Sequence, residues 1–275
     1  MSTSVVVVGG GTMGRGIAIA ALASGLDVTL VDVAEGVLDD AQARTADHFA
    51  RHPQPDRGAL HTATSMDGCL ATADVVIEAV PEILPLKTEI FGQLRSAPPG
   101  TLLVSNTSTM SIGALAEACG GSSRVVGMHF FNPAHRMRLV EVVVGARTGE
   151  DTRDEAVALA VRLGKEPIVV RDVPGFVTSR LGLILGTEAM RMVEEQVASA
   201  ADIDTALKLG YGHPMGPLEL ADLVGLDARL NNLRSMVERS GNPVYEPPAV
   251  LVELVAAGHL GKKSGRGFHD YGGRS

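Results

Sequence analysis

The sequence predicts an α/β protein: a Rossmann-type, mostly parallel, doubly wound sheet followed by a smaller all-helical C-terminal domain. Three observations predict it. Short β-branched runs alternate with segments of helical periodicity through the first half of the chain. A glycine-rich turn joins the first run to the first helix. Beyond Asp172-Val173-Pro174-Gly175 the strands stop and apolar residues recur at helical spacing.

Taken in order, the strands are expected at 5–8, 28–33, 75–80, 101–105, 125–129, 139–144 and 168–171. Helices fit between them at 13–24, 37–49, 87–95, 112–119 and 151–163. The run 139–144 follows 125–129 after a connection too short for a helix, so these two strands are expected to pair antiparallel. A Pro-Gly pair ends a strand and suits a helix start. The domains are therefore read as 1–172, a dinucleotide-binding domain, and 173–275, helical.

Composition limits what such a chain does. Hydrophobic residues make up 45 % and charged residues 20 % of its 275 residues, the balance of an ordinary globular enzyme. A formal charge of -8 argues against a nucleic-acid binder, which needs excess Lys and Arg to displace counterions. Cys69 and Cys119 stand far apart, with no pattern of metal ligands, as in a reducing compartment. No stretch approaches the roughly 20 apolar residues of a membrane helix. The start, Met1-Ser2-Thr3-Ser4 and four valines, lacks the basic and long apolar regions of a signal peptide, so a cytoplasmic location is expected.

Gly9-Gly10-Gly11-Thr12-Met13-Gly14 fits G-x-G-x-x-G, with four valines before it and an apolar helix after it. In this pattern Gly9 permits the tight turn, Gly11 lets backbone approach a pyrophosphate, and Gly14 lets the helix pack against the strand. The helix N-terminus then offers free N–H groups and a favourable dipole to phosphate. Asp32 ends the second strand, where a carboxylate accepts hydrogen bonds from an adenosine ribose and repels a 2′-phosphate. Val33-Ala34-Glu35 supplies no cation for that phosphate, so NAD is expected rather than NADP.

His129 ends an apolar strand, at the edge where open α/β sheets place ligands. A hairpin through Asn132-Pro133-Ala134-His135 would bring Glu141 beside it. Alcohol oxidation needs a base poised near neutral pH, and a carboxylate behind an imidazole fixes its tautomer and supports its charge. On these residues alone the pair reads equally as a catalytic dyad or as a structural contact between strands.

The ordered strings Val76-Ile77-Glu78-Ala79-Val80-Pro81-Glu82, Ser105-Asn106-Thr107-Ser108-Thr109 and His129-Phe130-Phe131-Asn132-Pro133 add to the glycine turn. So do Pro174-Gly175-Phe176-Val177, Gly212-His213-Pro214-Met215-Gly216-Pro217 and Gly261-Lys262-Lys263-Ser264-Gly265. Together they resemble the L-3-hydroxyacyl-CoA dehydrogenase family over nearly the whole chain. The resemblance implies an enzyme that moves a hydride between NAD and the 3-hydroxy carbon of an acyl-CoA. His129 would be the general base for oxidation and general acid for reduction, Glu141 its orienting partner, and Ser108 would hydrogen-bond the substrate oxygen near the nicotinamide and count among the cofactor contacts. Asn132, Glu82, Lys87 and Lys263 would contact the cofactor, Lys87 and Lys263 being otherwise readable as surface lysines. A homodimer through the helical domain is implied, with Met190, Met192, Val193, Leu207, Leu218, Leu223 and Leu226 as its apolar surface, unless these residues pack only the domain's own core.

Two departures from the family stand out. Where it often carries a substrate-side Asn, this chain has Ser179, which offers one hydroxyl in place of an amide. The stretch 33–73, where the family projects a CoA-binding helical hairpin, looks shortened, is broken at 52–56 and holds no Lys; Arg44, Arg51 and Arg57 remain as phosphate partners. This leaves two other readings. One is a related NAD dehydrogenase of a free 3-hydroxy acid or sugar acid; the other is a non-catalytic NAD-binding structural or sensor protein.

Overall fold

Four consecutive valines set an interior strand of the N-terminal unit's sheet. The computed structural model describes residues 3–272; Met1, Ser2 and 273–275, which the reading of the start and the outer bounds of both domains include, lie outside the described residues. By contact density the chain divides into two compact units, Met1–Phe176 and Val177–Ser275. The division falls slightly beyond Asp172 because Phe176, 2 % exposed, is buried in the core of the first unit.

In the first unit β1 (Ser4–Val8) buries all four valines, as a parallel strand covered on both faces must. It pairs in parallel with β2 (Asp27–Val31) on one side and β4 (Val75–Glu78) on the other. The complete order is β3-β2-β1-β4-β5-β6-β7-β8, with β3 at Leu60–Ala63, β5 at Leu102–Ser105, β6 at Val125–Phe130, β7 at Leu139–Val144 and β8 at Glu166–Arg171. Every pairing is parallel except β6 with β7. The first six strands follow the dinucleotide-binding order, which reverses direction between β1 and β4 and opens a crevice there. Side-chain alternation divides the core into two layers: Val5, Val7, Val28 and Leu30 face one way, Val6, Val8 and Val31 the other.

The helices α1 (Thr12–Ala23), α2 (Glu35–Arg51), α3 (Leu84–Leu94), α4 (Ile112–Ala118) and α5 (Glu150–Arg162) cross between the strands. α3 starts before the expected position because Pro85 fits its first turn. In the 33–73 stretch α2 runs unbroken over 17 residues, burying Leu38, Ala41, Thr45 and Phe49 along one stripe. It gives way at His52, and the chain then returns to the sheet as β3. That strand was not expected: Leu60-His61-Thr62-Ala63 is four residues long and only partly buried, so it lacks the apolar run of a central strand.

The second unit is helical: α6 (Thr178–Glu194), α7 (Ala200–Tyr211), α8 (Pro217–Val224), α9 (Leu226–Ser240) and α10 (Ala249–Ala256). Met190, Leu218 and Leu226, expected at a dimer surface, are instead buried in this unit's own core, and Met192 and Val193 pack partly against it. Leu207 is half-buried, and of that group only Leu223 is exposed. The helical period assigned those residues to an apolar stripe without telling which stripe faces inward.

Two carboxylates with no solvent exposure tie this unit together. Asp204 accepts the backbone N–H groups of Leu218 (2.8 Å) and Glu219 (3.0 Å) at the start of α8 and pairs with His269 Nε2 at 2.6 Å. Asp222 accepts Phe268 N–H (3.0 Å), His269 N–H (2.9 Å) and the Tyr271 hydroxyl (3.1 Å). Burial, then the nearby Asp222 charge, holds the Tyr271 phenol well above its ordinary pKa, so it stays a donor. Asp222→Asn keeps the shape but turns an amide NH2 donor toward buried donors. It is expected to cost about 2–4 kcal/mol of stability in urea unfolding, the scale of charge-assisted bonds lost from a buried site. A loss within experimental error would show that the tail does not depend on this carboxylate.

Candidate active site

The crevice between β1 and β4 is the end of a continuous cleft of about 1040 Å³ within the first unit. Its walls run from Gly9, Gly11, Thr12, Met13 and Asp32, past Glu82 and Ser108, to His129 and Asn132.

At the nucleotide end, Gly9 has φ +106, and a Cβ there would meet the Ala79 carbonyl oxygen at 2.7 Å. A Cβ on Gly14 would meet the Gly9 carbonyl oxygen at 1.8 Å. Both glycines are therefore demanded by the packing of β1, α1 and β4. Gly11 differs, since a Cβ there would touch no protein atom within 4 Å. Its lack of a side chain instead suits close approach by a phosphate to the N-terminus of α1, where no side chain caps the free N–H groups. Asp32 accepts Gly10 N–H at 2.8 Å through Oδ2 and Ala34 N–H at 3.0 Å through Oδ1. These bonds fix the carboxylate and leave lone pairs for ribose hydroxyls. Val33 beside it is 90 % exposed, with no cation in its place. The residues present fit NAD.

At the other end, β6 and β7 bring His129 and Glu141 directly opposite each other. His129 Nδ1 lies 2.7 Å from Glu141 Oε2. Glu141 has no solvent exposure and His129 is 8 % exposed, so the carboxylate stands behind the ring and the ring faces the cleft. With Nδ1 engaged, Nε2 is the nitrogen left for a substrate. The Phe131 ring lies 4.5 Å from the imidazole and the Phe176 ring 5.9 Å, which gives the imidazole two aromatic neighbours.

Between the two ends is a buried network that the sequence only hinted at. Lys87 is not a surface lysine but 1 % exposed. Its Nζ lies 2.6 Å from Glu78 Oε1, 3.1 Å from the Val80 carbonyl oxygen and 3.3 Å from Glu82 Oε2. Glu78, with no exposure, also accepts the Ser105 hydroxyl at 2.7 Å. Glu82 in turn accepts the Thr107 hydroxyl, the N–H groups of Ser108 and Thr109 at 3.0 Å each, and the Thr109 hydroxyl at 3.0 Å. Burial works against its charge, but Thr107, Lys87 and Thr109 outweigh it and hold Glu82 below the ordinary carboxylate range. Lys87 thus acts on the site by holding Glu78 and Glu82, and Glu82 holds the turn that carries Ser108. Asn106, also absent from the expected set, accepts Phe130 N–H at 3.0 Å and ties the same turn to β6. Glu78 had one sequence signal, a carboxylate ending the buried run Val75-Val76-Ile77.

Ser179 and Lys263 belong to the second unit. Ser179 lies half-buried in the first turn of α6. Lys263 is exposed and forms a two-pronged ion pair with Asp227 at 2.6 and 2.7 Å. The arginines near α2 have partners as well: Arg44 with Asp40 and Arg51 with Asp47 along the helix, and Arg57 over the Phe49 ring at 4.8 Å. The two ion pairs are the solvated pairs of an exposed helix face.

Comparison with known proteins agrees with this geometry. Residues 4–173 match the family model of the 3-hydroxyacyl-CoA dehydrogenase NAD-binding domain, and residues 175–271 match that of the 3-hydroxyacyl-CoA dehydrogenase C-terminal domain. The chain is 40 % identical over 277 residues to a probable 3-hydroxybutyryl-CoA dehydrogenase of Bacillus subtilis, covering 97 % of this chain and 96 % of that protein. It is 39 % identical to the mitochondrial hydroxyacyl-coenzyme A dehydrogenase of Sus scrofa, covering 97 % and 90 %. Its fold matches the crystal structure of (S)-3-hydroxybutyryl-CoA dehydrogenase from Ralstonia eutropha with a TM-score of 0.93 and 37 % identity, covering 99 % of this chain and all of that one. The likeness extends through both units and agrees with the glycine turn and the acidic strand end at Asp32 in the first, so the chain belongs to the 3-hydroxyacyl-CoA dehydrogenase family and uses NAD.

Proposed function

We infer that this enzyme catalyses the reversible oxidation of an L-3-hydroxyacyl-CoA, of the 3-hydroxybutyryl-CoA type, to the 3-oxoacyl-CoA. The observation that carries the reading is the 2.7 Å His129–Glu141 pair, set in the same cleft as the glycine cradle and Asp32. NAD, when bound, supplies the two-electron acceptor for the hydride leaving the 3-carbon. His129 Nε2 accepts the hydroxyl proton as the carbonyl forms and returns it in reduction. Glu141 holds the Nδ1 proton and supports the imidazolium. Ser108, fixed by Glu82, donates a hydrogen bond to the substrate oxygen. Asn132 and Glu82 line the cofactor side of the cleft, and Lys87 supports it through Glu82. Ser179 and Lys263 are assigned to the substrate and cofactor sides by family position. A sensor that only binds NAD has no need of a carboxylate buried behind an imidazole. The acyl-CoA names of the relatives favour that substrate over a free acid.

The first unit is the NAD-binding domain in this reading, and the helical unit serves substrate binding and dimerisation. Leu181 and Leu185 on α6 and Leu220, Leu223 and Val224 on α8 are exposed and supply the apolar surface for a homodimer. Two free thiols, one of them buried, suit a cytoplasmic enzyme.

Three measurements test the reading. With acetoacetyl-CoA and NADH, His129→Gln should preserve NADH binding while turnover falls by roughly 10²–10⁴, the scale of general acid–base catalysis. Glu141→Gln should also slow turnover, and the double variant should be far less impaired than the product of the two losses, because the residues share one task. Multiplicative losses would separate the pair, and near-normal turnover in His129→Gln would end the mechanism.

Replacing Asp32 by Ser and Val33 by Arg should shift the kcat/KM ratio toward NADPH, since repulsion is removed and a phosphate partner added. Equal use of NADPH and NADH by the unmodified enzyme would overturn the role of Asp32. Sedimentation at micromolar concentration should show a dimer; a monomer would assign the exposed leucines to no subunit interface.

A further inference from the structure

Lys165 stands just before β8 and is 7 % exposed. Its Nζ donates to the Ala134 carbonyl oxygen at 2.6 Å and to the Met137 carbonyl oxygen at 3.0 Å. Among the described residues it forms no ion pair, and burial lowers its pKa. A buried ammonium facing only carbonyl dipoles is costly to keep in a fold. Packing at this position would be served as well by an apolar side chain, so the charge points to a task beyond packing.

The two carbonyls belong to the loop 131–138, which joins the strands of His129 and Glu141 and carries Phe131 and Asn132 on the wall of the cleft. Within the loop, Arg136 N–H and Met137 N–H donate to the Pro133 carbonyl oxygen at 2.9 and 3.0 Å, and the loop's other ties to the rest of the unit are packing contacts or lie at its end. Ala134 faces Gly16 of α1 so closely that a Cβ there would come within 3.0 Å of the Ala134 Cβ. The His135 ring meets His48 of α2 edge-on at 4.9 Å. Glu166 N–H closes the loop's far end on the Arg138 carbonyl oxygen at 2.7 Å. Among the described residues, Lys165 is the side chain from outside the loop that donates hydrogen bonds to its middle, holding its backbone on both sides of His135.

We propose that Lys165 is a positioning residue for the reaction, acting through the Ala134 and Met137 carbonyls to hold Phe131 and Asn132 at the cofactor side of His129. The proposal rests on the dehydrogenase reading of the cleft. It explains why a chain with ordinary hydrophobic content keeps a cation where no carboxylate compensates it.

The test compares Lys165→Met with the unmodified enzyme by NADH fluorescence titration, steady-state kinetics and thermal melting. Loss of the clamp should raise the NADH Kd and the KM for NAD about tenfold, the scale of one hydrogen bond to the cofactor lost. The KM for the acyl-CoA should change little and the melting temperature by only a few degrees. Lys165→Arg, which restores a cation with several N–H donors, should recover part of the cofactor affinity. Should the methionine variant not fold, Lys165→Gln takes its place with the same expectations. Unchanged cofactor affinity in a folded variant would overturn the proposal. So would losses in every parameter that track a lowered melting temperature, or failure of both variants to fold. NADH titration needs no acyl-CoA, so an unmodified enzyme inactive on acetoacetyl-CoA would sink the substrate reading while this comparison still decides the role of Lys165.

Discussion

A carboxylate sealed from water must find a hydrogen-bonding partner inside the protein, and Glu141 finds one in His129 across the only antiparallel pairing of the eight-stranded sheet. The two residues face each other because β7 reverses direction after a short loop; a parallel successor to β6 would need a crossover long enough for a helix. A slip of one residue in this register would turn Glu141 to the opposite face of the sheet and leave a buried charge without its partner. The same reversal puts Phe131, Asn132 and the cis Asn132-Pro133 bond at the rim of the cleft. Register, the geometry of the His129–Glu141 pair and loop placement are therefore consequences of one pairing.

Much of the remaining site is organised by charges that the interior must neutralise. Glu78 and Lys87 form a pair with almost no exposure, and Lys87 also lies within 3.3 Å of Glu82 at the cleft wall. Glu82 then gathers the donors of Thr107, Ser108 and Thr109. Such a network is costly if any member is left unsatisfied. That cost makes the position of the Ser108 turn depend on a helix residue and a strand residue distant from it in sequence. The helical unit uses the same device, with Asp204 and Asp222 anchoring the C-terminal residues to α7 and α8. In both units buried carboxylates, rather than extra apolar volume, decide where irregular segments lie. This suits a chain whose aromatic content is only 3 %.

The sequence by itself determined the class of the fold and the nature of the cofactor. Alternating apolar runs of strand and helix length are a local signal, and seven of the eight strands were legible in it. Glycines at 9, 11 and 14 with an acidic strand end at Asp32 are local too, because each works through backbone within a single strand–turn–helix unit and the strand beside it. β3 was missed because a short, half-exposed edge strand carries no apolar run. Tertiary structure alone decided that Lys87 is an interior cation and Lys263 a surface one, since both read alike in the sequence as cofactor contacts or surface lysines. It alone showed that Met190, Leu218 and Leu226 line the core of their own unit, because periodicity gives the spacing of an apolar stripe and not its direction. And it alone turned His129 and Glu141 from two candidates into a pair 2.7 Å apart, because the partner of a buried charge is set by strand register, a non-local property.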